Sequence, residues 1–394
     1  MKVLHVVPSL SLLSGGVASS VRDFCRGLAQ AGVSVHLVST LRGWDAKREG
    51  PLDGELRQAG VRLYYFPVHP WKPLGERYAF SPKLREALES LIPQSDIVHI
   101  HSVWLDTTRV SSRICLKRKI PYVISPCGLL DPYGLRRHAL LKRIYGLLLE
   151  RRTLAGAAAV HFTSKAERDK AFLFGACPPH AVIPCSVPLD HLPAVARGTF
   201  RRRFPEAKEP HLLLFMGRLH RKKRLDIAVE AFIQVARSRQ DVRLVVAGPN
   251  EGAEPAARAL LAQSGLADRA TFCGFLAGDR KWEAVEDSTL FLLPSEDENF
   301  GVAALEALAL GVPALLSPGV GLADQVARQG AGLRVEGPPR EWARTIEALL
   351  ENPGRMREMG EAGKRLVREE FSTARVASAL RDFYLHVLEK KPLP

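Results

Sequence analysis

Apolar positions along the 394-residue chain follow two alternating rhythms. Short β-branched runs bounded by turn residues read as strands: KVLHVV, VSVHLVST, VRLYYFPV, DIVHIHS and PYVISP, then HLLLFMG, VRLVVAG, ATFCGF, LFLLPS and PALLSP. Between them, apolar residues recur at i, i+3 and i+4, as in VASSVRDFCRGLAQAG with its terminal glycine and in RLDIAVEAFIQVARS. Strands this continuously apolar, alternating with helices, predict an α/β fold of doubly wound parallel sheets covered on both faces. The rhythm breaks near residues 187–210, VPLDHLPAVARGTFRRRFPEAKEP, which are rich in proline and charge. This predicts two Rossmann-like domains, 1–190 and 209–371, joined by a linker at 191–208. STARVASALRDFYLHVLE reads as a long amphipathic helix within the closing segment 372–394.

Composition narrows the class. Hydrophobic residues make up 46% and charged residues 25%, as in an ordinary globular chain, which excludes disorder and collagen-like repeats. No apolar run reaches the roughly 20 residues of a membrane-crossing helix. The six cysteines form no C-x-x-C pair and show no zinc spacing, so they read as a reduced, cytoplasmic complement. The opening MKVLHVVPSLSLLSGGVASS has the outline of a signal peptide, but His5 and Pro8 interrupt its apolar stretch. A buried strand running into a glycine turn accounts for the same residues.

Charge is one-sided. Residues 1–200 carry 27 basic against 15 acidic side chains, and residues 201–394 carry 29 against 27. A basic half implies an anionic partner, whether nucleic acid, an anionic membrane or a phosphorylated substrate. An arginine-rich proteome would give the same excess. Nucleic acid ranks below the other two, because no zinc-finger spacing, RNP-like strand or helix-turn-helix is present.

Doubly wound sheets bind ligands beyond the carboxyl ends of their strands, so the loops there are where chemistry is expected. After the first strand, Ser14-Gly15-Gly16-Val17 opens a helix; paired glycines allow close backbone approach to an anion, although a plain tight turn has the same composition. It is not G-x-G-x-x-G, and Ser39-Thr40 stand where a dinucleotide site would place an acid. After HLLLFM comes Gly217-Arg218-Leu219-His220-Arg221-Lys222-Lys223, where an arginine fork and lysine charges suit phosphate. After LFLLPS comes Ser295-Glu296-Asp297-Glu298-Asn299-Phe300-Gly301-Val302, leading into a small-residue helix with Glu306 on it. Backbone N–H groups at Phe300, Gly301 and Val302 can hold a phosphate. Glu298 and Glu306 are at most about 12 Å apart if all helical, which suits gripping two ends of a long ligand better than sharing one atom. Helix capping by Glu298 and a solvated face for Glu306 remain open as plainer roles.

Together these segments resemble the retaining GT-B glycosyltransferases of family 4, the group 1 glycosyl transferases, over essentially the whole chain. The E-x7-E signature stands as Glu298 to Glu306, and G-R-L-x-x-x-K as Gly217-Arg218-Leu219 to Lys223. Gly15-Gly16, HIHS at 99–102, VHFTSKAE at 160–167 and AGPNEG at 247–252 match as well. The resemblance implies two facing domains with a cleft between them, acceptor binding by the first and nucleotide-sugar binding by the second. The closing helix would pack back on the first. Arg218 and Lys223 would bind the donor diphosphate, with Phe300, Gly301 and Val302 offering N–H groups; Gly217, Ser295 and Asn299 would complete the donor site. Glu298 would hold the transferred sugar and Glu306 the ribose, while Gly16 would close over the diphosphate. Gly15 and His101 fall on the acceptor side. The donor would be a UDP-, GDP- or ADP-sugar, with no cofactor and no metal required. His99 and His101 share a strand face but show no third ligand, so acceptor contact or packing is expected of them. The implied enzyme is a hexosyltransferase of cell-surface polysaccharide or glycolipid synthesis, acting on a carbohydrate or lipid-linked acceptor.

Three positions depart from the family pattern. Cys127 stands where histidine, sometimes arginine, faces the transferred sugar, so an imidazole donor is lost. Cys185-Ser186 replaces N-G, and Arg224 replaces the glycine after the phosphate-loop lysine. Cys127 motivates an alternative, a catalytically silent GT-B scaffold binding nucleotide sugar; the net +14 motivates another, a basic polyanion-binding protein. A phosphorylase or epimerase on the same fold is a weaker third. Finally, Leu135 to Arg152, LRRHALLKRIYGLLLERR, reads as a basic amphipathic helix suited to the inner face of an anionic membrane, or equally as a core-packed helix with solvated arginines.

Overall fold

The computed structural model describes residues 1–130, 150–172 and 178–393. Two compact units divide the chain: Met1–Ser186 with Thr373–Pro394, and Val187–Ser372. The first unit is built on seven strands: β1 (Lys2–Val7), β2 (Ser34–Thr40), β3 (Arg62–Phe66), β4 (Ile97–His101), β5 (Tyr122–Ser125), β6 (Ala159–Phe162) and β7 (His180–Val182). Their order is β3-β2-β1-β4-β5-β6-β7, with the registered pairs parallel. The second holds β8 (His211–Met216), β9 (Val242–Ala247), β10 (Ala270–Gly274), β11 (Leu290–Leu293), β12 (Ala314–Leu316) and β13 (Gly332–Arg334) in the order β10-β9-β8-β11-β12-β13. Both are doubly wound, and the order reverses beside β1 in one sheet and beside β8 in the other.

The apolar pattern explains the layers. Leu212, Leu213, Leu214 and Phe215 of β8 are fully buried, and the helices Leu225–Ser238 and Pro339–Leu350 cover that sheet with Phe232, Val235, Trp342 and Ile346. Residues 191–208 belong to the second unit. There the short helix Thr199–Arg203 is pinned by Asp287, which accepts the N–H groups of Gly198 and Arg201, and by an Arg203–Glu283 ion pair at 2.8 Å.

The closing helix Thr373–Leu388 is part of the first unit and lies against the helix Gly16–Gln30. A Cβ on Gly27 would sit 2.6 Å from the Thr373 methyl and 2.8 Å from Ala377, so this approach requires glycine. Tyr384, fully buried, reaches the sheet, and its contact there is polar. Its hydroxyl lies 2.6 Å from His99 Nδ1, His99 Nε2 lies 2.8 Å from Ser125 Oγ, Ser125 Oγ lies 2.8 Å from His161 Nδ1, and His161 Nε2 lies 2.8 Å from the Ile183 carbonyl. A carbonyl only accepts, so His161 carries its proton on Nε2 and accepts from Ser125 on Nδ1. Ser125 therefore accepts from His99 Nε2–H, and His99 Nδ1 accepts from Tyr384. Every proton is placed with both imidazoles neutral.

Burial keeps them neutral. It pushes the His161 imidazole down to about 4, and His5 to about 3 with His161 adding to the effect. His99 and His101 are held well below their ordinary value by burial and by the neighbouring imidazoles. The folded state thus binds fewer protons than the unfolded chain. Stability is complete above the unfolded value of about 6.5 and falls as pH drops below it, by about 1.4 kcal/mol per histidine per pH unit. With four such residues, the urea midpoint of the first unit should collapse between pH 7 and 5.5. Equal midpoints at the two pH values would show that these imidazoles are not buried neutral.

Candidate active site

In the second unit the loops after β8 and β11 flank the point where strand order reverses. The β8 loop is tied down on both sides: Leu219 N–H donates to the Pro249 carbonyl at 2.8 Å, and the Leu219 carbonyl accepts from Glu251 and Ala253. Arg218 leaves this frame half-exposed and pairs with Glu251 at 3.1 Å. Lys222 pairs with Asp297 at 2.9 Å, and its carbonyl accepts the Glu296 N–H. Lys223 pairs with Glu298. The sequence-predicted residues Arg218, Lys223 and Glu298 therefore come from two loops that are bonded to each other. Burial, then the Arg218 guanidinium, lowers the Lys223 ammonium to about 8. It is a cation poised to lose its proton just above neutrality.

The β11 loop delivers a helix end. Gly301 caps the helix Val302–Ala309 at φ 103°, and a Cβ there would meet Val320 at 2.9 Å, so glycine is required on both counts. The first N–H groups of that helix have no intrahelical partner. Phe300 is buried edge-on against Phe371, and its carbonyl accepts from Leu322, which fixes the approach. Glu298 is bracketed by Gly319 and Gly321 through its own N–H and carbonyl at 2.9 Å each. Ser295 is fully buried and its Oγ has no hydrogen-bond partner among the described residues. Asn299 is half-buried in the same loop. Glu306 is not on a solvated face: it is 8% exposed and pairs with Lys281 at 2.6 Å. Lys281 and Glu251 are site neighbours that spacing alone did not single out. Gly217 continues β8, its N–H on the Ala247 carbonyl.

In the first unit, Gly15 at φ 83° ends the short turn Leu12–Ser14, and Gly16 begins the Gly16–Gln30 helix beside the strand reversal. His101 is 1% exposed, its Nε2 3.0 Å from His5 Nδ1. It is a core residue. The third imidazole, which the sequence alone did not single out, is His5, whose β1 position is registered opposite His99. Both His99 nitrogens are already committed to Tyr384 and Ser125, so the trio is held by hydrogen bonds. Cys127 adopts φ 55° after β5, its thiol donating to the Ser125 carbonyl at 3.3 Å. Burial, reinforced by Glu167, pushes that thiol up to about 12. Arg224 also takes a left-handed φ of 51°, which explains why glycine suits that position. Most of Leu135 to Arg152 lies outside the described residues; Arg151 and Arg152 are exposed on the helix Arg151–Ala155.

Paired Rossmann-like sheets of this kind are found in known glycosyltransferases. Anabaena HepE, solved in complex with UDP and glucose, matches with a TM-score of 0.77 at 16% identity, over 98% of this chain and 99% of that one. Sucrose-phosphate synthase from Thermosynechococcus elongatus matches at 0.74 and 21% identity, over 99% and 100%. The fold is GT-B. A family model for glycosyl transferases group 1 matches residues 196–366, and one for the glycosyl transferase 4-like domain matches residues 15–186. The D-inositol 3-phosphate glycosyltransferase of Xylanimonas cellulosilytica is 28% identical over 408 residues, covering 96% of this chain and 93% of its own. The 2-deoxystreptamine glucosyltransferase of Streptomyces kanamyceticus is 30% identical over 216 residues, covering 53% and 55%. The chain belongs to the group 1 glycosyltransferases. No helix among the described residues is long and apolar enough to cross a membrane.

A thiol held near 12 is almost entirely protonated at neutral pH. Cys127 in the native chain should therefore react with iodoacetamide about a thousandfold more slowly than a free thiol. Peptide mapping after alkylation at pH 7.5 checks this; rapid labelling at Cys127 would mean an activated thiolate.

Proposed function

We propose that this chain transfers a hexosyl group from a nucleotide sugar to an acceptor hydroxyl with retention of configuration. The observation that carries it is the pairing of Arg218 and Lys223 with acids beside a helix N-terminus at the strand reversal. Each cation has a partner that an arriving diphosphate can replace. Arg218 would leave Glu251 and fork onto two phosphate oxygens. Lys223 would leave Glu298 for the same anion, freeing the Glu298 carboxylate to accept hydrogen bonds from the sugar hydroxyls. The helix N–H groups at residues 300–302 and the unpartnered Ser295 hydroxyl complete the cradle. Glu306, neutralised by Lys281, keeps oxygen lone pairs for the ribose.

These charges stabilise the diphosphate as the glycosidic bond breaks, which is the main catalytic demand. The departing phosphate oxygen takes the acceptor proton on the face from which it leaves, and attack on that face preserves configuration. No side chain need act as nucleophile, consistent with a neutral Cys127.

For the acceptor, the names of the relatives favour a small polyol, and a phosphorylated one fits the basic excess of residues 1–200. A carbohydrate or lipid-linked acceptor at a membrane surface is the competing choice, with polysaccharide or glycolipid synthesis as its setting.

A thermal-shift screen of UDP-, GDP- and ADP-sugars tests the donor site. Saturation at about 100 times Kd adds roughly 2.7 kcal/mol, and Arg218→Ala should abolish the shift. Silence with all three would sink the reading and favour a polyanion binder, whose affinity falls steeply with salt and ignores Arg218. Binding without turnover on any acceptor would leave the silent scaffold.

Lys223 adds a pH signature. It is charged below about 8 and neutral above, so donor affinity falls as pH rises. Between pH 7 and 9 the loss should be about tenfold, and Lys223→Arg, which keeps its charge, should flatten it. A flat wild-type profile would remove Lys223 from the phosphate site.

A further inference from the structure

The turns at the carboxyl edge of the seven-stranded sheet are held from beneath by buried glutamates. Glu49, on the helix Ala46–Gln58, is fully buried. Its Oε2 accepts the Asp45 N–H at 2.6 Å, while Asp45 accepts from Lys47 and Arg48; that exchange is an ordinary reciprocal helix cap. Its Oε1 does something a cap does not require. It accepts the Leu12 N–H at 3.1 Å, the Ser11 hydroxyl at 3.4 Å and Arg48 Nε at 2.6 Å. One carboxylate thus joins the loop after β1 to the loop after β2.

The turn beyond Leu12 inherits that anchor. Ser11 Oγ accepts the Leu13 N–H at 3.3 Å, Gly15 N–H donates to the Leu12 carbonyl at 3.1 Å, and the helix begins at Gly16. Ser14 Oγ closes the turn onto Ser9 Oγ at 3.2 Å, and Ser9 Oγ donates to the Arg42 carbonyl at 2.7 Å. Two other buried glutamates repeat the device. Glu150 accepts the Trp104 N–H after β4 at 2.8 Å. Glu167 accepts the Gly128 N–H after β5 and the Thr163 N–H after β6, each at 2.7 Å. Trp104 and Cys127 lie in these loops with left-handed φ of 69° and 55°, conformations that persist only when their surroundings impose them.

We propose that Glu49, Glu150 and Glu167 are positioning residues that hold the substrate-side loops of the first unit in shape before any substrate arrives. Glu49 sets the Ser14-Gly15-Gly16 turn for the donor diphosphate, and Glu167 sets the Cys127-Gly128 turn for the transferred sugar. The assignment of substrates to these turns rests on the glycosyltransferase reading above. The holding of the loops does not.

Glu49→Gln preserves size but turns one acceptor into a donor facing an N–H group. In the folded variant, amide exchange at Leu12 and Asp45 should accelerate about tenfold while protection elsewhere stays unchanged. The donor KM should rise several-fold with kcat within twofold. Glu167→Gln should do the reverse, lowering kcat with donor KM held. If Glu49→Gln loosens the whole unit, Ser11→Ala decides, since it keeps the carboxylate and removes only one hydroxyl; exchange should then quicken across residues 9–16 alone. Unchanged exchange over residues 9–16 in the folded variants would overturn the proposal, as would a Glu49→Gln defect confined to kcat. If the wild type binds none of the nucleotide sugars, the donor reading fails, and the exchange measurement still decides whether Glu49 holds the turn.

Discussion

A parallel strand buried on both faces can carry almost no charge along its length, and this constraint arranges everything else in the molecule. Its backbone groups are spent on neighbouring strands and its side chains on the helices above and below. Ionisable groups are pushed to the strand ends, and where the strand order reverses the covering helices part and leave room for them. Beside β8 that room is filled by ion pairs: Arg218 with Glu251, Lys222 with Asp297, Lys223 with Glu298 and Lys281 with Glu306. A half-buried charge is costly without a counter-charge, and each of these cations has one. In the proposed function an arriving diphosphate exchanges partners with these acids, which keep the cations oriented.

The first unit breaks the rule against polar groups inside the sheet, and does so without charge. His99, Ser125, His161 and Tyr384 form a chain in which each proton has one destination, so four polar side chains are buried with none left unsatisfied along it. Tyr384 and His99 are 285 residues apart in sequence. The closing helix is thereby tied to the sheet by a directional bond as well as by the close packing at Gly27. A hydrophobic face alone would fix neither its rotation nor its register.

Much of this was legible from residues in order. The runs read as strands stand as β1 to β5 and β8 to β12, and the helices Gly16–Gln30, Leu225–Ser238 and Thr373–Leu388 and the charged loops at strand ends were legible too, because their signals are local. β6 (AVHF), β7 (HAV) and β13 (GLR) are not among those runs: each is short and includes a polar residue or glycine, whereas the equally short β12 (ALL) is wholly apolar. That His5 joins His99 and His101 is not legible in the sequence, for a different reason. Alternation within β4 shows that His99 and His101 share a face, but only the register between β1 and β4 brings His5 to them. Glu251 is likewise brought in by a loop-to-loop contact, and Lys281 by contact between the helices Asp279–Glu286 and Val302–Ala309. Arg224 stood out as a departure from glycine, and its φ of 51° supplies the cause, at a cost of about 1 kcal/mol for a side chain there.

Cys127 is the departure with consequences for chemistry, and the structure separates what it changes from what it leaves alone. The turn that carries it is shaped by the Ser125 carbonyl on one side and by Glu167 on the Gly128 N–H on the other. The Glu167 bond goes to a backbone N–H and holds the turn whatever side chain stands at position 127, whereas the Ser125 bond is made by the Cys127 thiol itself. In the proposed function, what a histidine would supply there is one donor directed at the sugar. A neutral thiol donates only weakly in its stead. On that reading the substitution bears on how a sugar is oriented and on rate, while the loops after β8 and β11, folded around their own ion pairs, keep their arrangement. In the proposed function Gly16 and Cys127 of the first unit and Arg218 and Glu298 of the second all serve the donor, so a weaker donor at Cys127 would slow transfer without removing the cations that hold the diphosphate.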